Sequence, residues 1–84
     1  MTTLFKHTVA YPDGDITLRL RAGAGGHRFV EERLNGGIYR EIKTDDIVDA
    51  VLHYEHLPTL RQARQFQFQP DPRHSPKPDN VVRL

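Results

Sequence analysis

Two short turn signals, Pro12-Asp13-Gly14 and Asn35-Gly36-Gly37, each sit between runs in which apolar and polar residues alternate. No other feature constrains the chain as much. A period of two marks a strand with one buried face, and a cluster of Pro, Asp, Asn and Gly between two such runs specifies a β-hairpin. Before the first turn, Phe5, His7, Val9 and Tyr11 share one side; after it, Ile16, Leu18 and Leu20 alternate with Thr17, Arg19 and Arg21. Proline presets φ at the first turn position, and Gly14 tolerates the positive φ that closes a bulged three-residue loop.

The second hairpin has two candidate registers. A two-residue loop opposes Arg33 to Ile38 and Phe29 to Ile42, whereas a three-residue loop opposes Leu34 to Ile38, Glu32 to Arg40 and Val30 to Ile42. The longer loop gathers four aliphatics on one face and is preferred, although it sets Glu31 against Glu41. Its inward Glu32–Arg40 pair predicts an incompletely covered end of the sheet, because full burial strips both charges of water.

A helix is expected over residues 45–57. Thr44 suits the N-cap, Asp45 and Asp46 suit the positive end of the helix dipole, and Ile47, Val51 and Tyr54 with Val48 and Leu52 form an apolar stripe. Pro58 ends it. Thr59 can cap a short second helix through Arg64, and the alternation Gln65-Phe66-Gln67-Phe68-Gln69 fits either a helix continuation or an edge strand with both Phe side chains inward. Four of the six prolines lie in residues 70–84, with no apolar residue before Val81. Such a stretch buries too little to offset its ordering entropy. The expected organisation is one α+β domain over residues 1–69, a four-stranded antiparallel sheet of two hairpins packed by one main helix, followed by a flexible tail over 70–84.

Most chemistries find no residues to carry them. With Cys 0, thiolate zinc sites, iron–sulfur clusters, disulfides and cysteine nucleophiles are excluded. The one serine, Ser75, stands in the proline-rich stretch, away from any rigid base. Asp46, Asp49, His53 and His56 line one helix side, but the histidines are three apart and not in the His-Glu-x-x-His spacing of zinc-protease helices. The reading is a solvated helix face and no metal. Ala22-Gly23-Ala24-Gly25-Gly26 leads into the strand-like His27-Arg28-Phe29-Val30 and not into a helix, so it is a connection and not a phosphate cradle. Neither an enzyme nor a cofactor is implied.

What remains is a surface. In the preferred register Arg19, Arg21, Arg33, Tyr39 and Lys43 lie on the sheet face away from the aliphatics, with Thr17 and Phe29. Arginine outnumbers lysine nine to three, yet the net charge is only +1. Cations interleaved with aromatics suit single-stranded nucleic acid, but Glu31 and Glu41 share the face and repel phosphate. The expectation is therefore a small protein-binding module, an inhibitor or adaptor of a bacterium, phage or mobile element, with homodimerisation a further expectation and nucleic-acid binding the alternative. No apolar run is long enough to span a membrane, and the first residues lack the charged start and apolar stretch of a signal peptide, which points to the cytoplasm.

Overall fold

The computed structural model describes residues 1–44 and 46–71 and has the expected α+β architecture. Strands β1 (Thr2–Tyr11), β2 (Gly14–Ala22), β3 (Arg28–Leu34) and β4 (Arg40–Ile42) form one antiparallel sheet in the order β1-β2-β3-β4, with helices α1 (Ile47–Glu55) and α2 (Leu60–Gln65) on one face. Val9, Ile16, Leu18, Val30 and Ile42 from the strands meet Ala50, Tyr54, Leu60 and Ala63 from the helices in a single core. Each large aliphatic among them contributes about 1.5–3 kcal/mol on burial.

The first turn is tighter than expected. Tyr11 pairs with Gly14, so the loop is Pro12-Asp13 alone, and the bulge lies instead between Thr3 and Phe5. Gly14 takes φ +146°, and a Cβ there would sit 2.5 Å from Leu60 Cδ2. Glycine is thus required both for backbone conformation and for the approach of α2. That approach brings the Asp13 carboxylate onto the start of α2, where Oδ1 accepts from the Leu60 N–H at 2.7 Å and Oδ2 from the Arg61 N–H at 3.1 Å. Thr59 caps the same helix, accepting from the Gln62 N–H at 3.1 Å.

In the second hairpin the expected ladder is present: Val30 faces Ile42, Glu31 faces Glu41 and Glu32 faces Arg40. The loop does not follow. Asn35 and Gly36 adopt positive φ of 51° and 76°, making a two-residue turn closed by Gly37 N–H to Leu34 O at 2.9 Å. The ladder resumes one residue late, so Ile38 does not join Leu34 in the apolar row but stands 92% exposed.

Helix α1 is shorter than the expected 45–57. Its N-cap is Asp46 and not Thr44: Asp46 Oδ1 accepts from the N–H groups of Val48 and Asp49, while Thr44 Oγ1 accepts from the Asp46 N–H. On the buried side of α1, Tyr54 donates its hydroxyl to Glu32. Glu32 is fully buried and also accepts from Arg40 Nε at 2.8 Å and Gln67 Nε2 at 2.6 Å. The inward Glu32–Arg40 pair therefore does not mark an open end of the sheet. Three donors compensate the carboxylate, which makes its burial tolerable, and burial together with that carboxylate pushes the Tyr54 phenol above its ordinary value.

After α2 the chain is neither helix nor ladder strand. Phe68 packs against the rings of His53 and Tyr54, whereas Phe66 is exposed instead of pointing inward. The backbone then runs beside β4: Lys43 N–H donates to Gln69 O at 2.8 Å, Pro70 bridges Ile42, and Asp71 N–H donates to Glu41 O at 3.0 Å. Anchoring thus reaches Asp71; the rest of the expected tail, 72–84, lies outside the described residues.

Candidate functional site

Pairing of β1, β2 and β3 arranges the side chains away from the helices in rows. Thr8, Thr17 and Arg33 form one row; Lys6, Arg19, Glu31 and Glu41 form the next; Arg21 and Phe29 belong to the third. Tyr39 continues the first row beyond Arg33, and Lys43 continues the third beyond Phe29. All five residues singled out in the sequence therefore share this outer face. Sheet alternation accounts for this, since odd-numbered residues of β2 and β3 face one way.

The arginines are held and not free. Arg19 Nε donates to Glu31 Oε1 at 2.6 Å, and Arg21 Nη1 lies 3.7 Å from the same oxygen. The Arg19 guanidinium carbon sits 3.4 Å from the centre of the Tyr39 ring, with that of Arg33 at 4.7 Å. A tyrosine contacted by two guanidinium groups gains from cation–π attraction, and Glu31 offsets the repulsion that packing cations together would create. Glu31 also faces Glu41 directly across the ladder, an arrangement that neighbouring arginines relieve. Arg33 has no carboxylate partner among the described residues, and its Nε, the Arg21 Nε and the Tyr39 hydroxyl are buried without a hydrogen bond. Of the five, Lys43 alone is exposed and the other four are half-buried.

Lying away from the aliphatics does not leave these arginines free in solvent. The side chains of Arg19 and Arg21 are only 21% exposed, because Glu31 and Tyr39 draw them flat onto the sheet. What sequence reasoning missed was the role of Glu31. The acidic residue was visible on this face, but its placement opposite Arg19 depends on the β2–β3 register, which no turn between those strands specifies.

The other candidates are dispersed. His53 Nε2 lies 2.6 Å from Phe66 O and His56 Nδ1 lies 2.6 Å from Leu52 O, so each ring contacts the backbone. Among the described residues no three His, Cys, Asp or Glu side chains come together as a metal site. The glycine-rich connection forms one short turn, Ala24–Gly26, which with Met1, His27 and Phe29 borders an open cavity of about 380 Å³. No helix among the described residues is long and apolar enough to cross a membrane. No family model, curated protein or solved structure matches the chain.

Proposed function

We propose that the chain is a small non-enzymatic protein-binding module, an inhibitor or adaptor, whose contact surface is the outer face around Arg19, Arg21, Arg33, Tyr39 and Lys43. One observation carries this reading: Glu31 and Tyr39 fix the arginines before any partner arrives. Arg and Tyr dominate the energetics of protein interfaces, and side chains already immobilised lose little entropy on docking. The same carboxylate argues against nucleic acid, since Arg19 and Arg21 already share Glu31, which offsets one of their two charges, and a phosphate would approach Glu31 and Glu41 as well.

The test is capture from lysate with the parent and with the triple variant Arg19→Ser/Arg21→Ser/Arg33→Ser, each with and without nuclease. A protein partner recovered by the parent after nuclease treatment and lost by the variant is the expected result. Nuclease-sensitive recovery with a steep salt dependence would establish the nucleic-acid alternative. Because Glu31 loses its cationic partners in the triple variant, a folding check by circular dichroism accompanies the experiment, and Tyr39→Ala serves as a milder variant of the same surface.

A further inference from the structure

The outer edge of β1 is open: no described residue pairs with it, and the strand is ten residues long. Which backbone groups it presents follows from the ladder. The Asp15 carbonyl accepts from the Asn35 N–H at 2.7 Å and so points towards β3, away from β1. Its partner Ala10 therefore turns its own N–H and C=O outward, as do Thr8 and Lys6 at the same period, while Val9, His7 and Phe5 bond inward to β2. An exposed edge of this length is a template for another strand.

We propose that a second copy of this chain occupies the edge, with β1 pairing antiparallel to β1 about a twofold axis through Thr8, on a surface distinct from the outer face discussed above. Three registers can be compared. With the axis at Lys6, two lysines oppose each other. With the axis at His7, Ala10 must pair with Leu4, the residue that the bulge between Thr3 and Phe5 removes from the ladder. With the axis at Thr8, Thr8 meets Thr8 of the second copy and Lys6 meets Ala10 twice, giving six main-chain hydrogen bonds with no unlike demand on either strand. Pro12, which has no N–H, stops the ladder just beyond.

Charge selects the same register. Ala10 lies in one row with Asp15, so the Thr8 axis puts Lys6 of each copy in line with Ala10 and then Asp15 of the other. Two strand spacings are about 10 Å, which an extended lysine and an aspartate span across the small alanine. Neither Lys6 nor Asp15 has an ion-pair partner among the described residues. On the helix side, Glu55 reaches His7 at 2.9 Å while His53 reaches Phe66, which fixes the roll of α1 and turns the flank carrying Val48 and Leu52 towards the β1 edge. Val48 is 60%, Leu52 50% and Phe5 48% exposed, and the twofold brings these flanks together and sets Phe5 opposite Tyr11 of the second copy. The outer faces of the two copies then form one eight-stranded surface.

Sedimentation equilibrium of the full chain over a wide concentration range tests this directly. The expected result is a dimer of twice 9.7 kDa, weakened at least tenfold by Thr8→Pro, which removes an outward N–H and no β1–β2 backbone bond, the Thr8 Oγ1–Thr17 Oγ1 hydrogen bond being lost with it. Lys6→Glu and Asp15→Lys should each weaken it, and the double exchange should restore it; this pair keeps the test informative if the proline variant misfolds. A parent that stays monomeric at every concentration, or single charge reversals that leave the dimer unchanged, overturns the proposal. Loss of a captured protein by the outer-face arginine variant in a monomeric parent would overturn the dimer alone and leave the protein-binding reading in place.

Discussion

The two edges of the sheet are unlike. On β4, only three residues long, Gln69, Pro70 and Asp71 supply the missing backbone partners, and the buried Glu32 ties that strand's Arg40 to Tyr54 and Gln67. On β1, ten residues long, nothing described covers the edge. A short strand cannot hold itself to a sheet, so it is fastened by side chains and by the chain that follows. A long strand is fastened by its own ladder, which leaves its outer groups for another molecule.

The largest effect should come from unfastening β4. Glu32→Ala removes the acceptor that Tyr54, Arg40 and Gln67 share, and stability should fall by about 2–5 kcal/mol, because the Tyr54 hydroxyl and the Gln67 amide lose their acceptor at about 1–3 kcal/mol each while Arg40, 35% exposed, is left to water. Urea unfolding measures it; a loss below about 0.5 kcal/mol would mean that backbone pairing alone closes this edge.

Tyr54→Phe is the gentler version. It deletes one donor to Glu32 and the acceptor of the Phe68 N–H, with an expected loss of about 1–3 kcal/mol. The variant also carries a pH signature. Because the folded state holds the Tyr54 phenol above its ordinary 10.0, its contribution is complete below that value and is lost as pH rises through the folded one. Alkaline melts of the parent should therefore decline more steeply than those of Tyr54→Phe.

Amide exchange compares the edges in one experiment. The N–H groups of Lys43 and Asp71 should be protected independently of protein concentration, since their acceptors Gln69 O and Glu41 O belong to the same chain. Those of Lys6, Thr8 and Ala10 should gain protection as concentration rises. Concentration-independent protection on both sides would erase the distinction between the edges.

The smallest effect lies at the turn that joins β1 to β2. Backbone donation from Leu60 holds the Asp13 carboxyl below its ordinary 3.8. A depressed pKa stabilises the fold above the unfolded value and loses that contribution as pH falls through the folded one. Asp13→Asn should flatten the decline of melting temperature below about pH 4 and change little at neutrality.

The sequence determined what depends on neighbours along the chain. Period-two alternation around Pro12-Asp13 and Asn35-Gly36 specified both hairpins, the apolar stripe specified α1, Thr59 specified the start of α2, and parity placed Arg19, Arg21, Arg33, Tyr39 and Lys43 on one face. Tertiary structure decided what depends on residues far apart. Glu32 is buried because Tyr54 and Gln67, respectively 22 and 35 positions away, arrive to donate to it. Gly14 is confined by Leu60, and Phe66 and Phe68 divide between solvent and core according to where α2 releases the chain. Desolvation of a charge is judged by the whole set of donors that reach it, and local sequence does not contain that set.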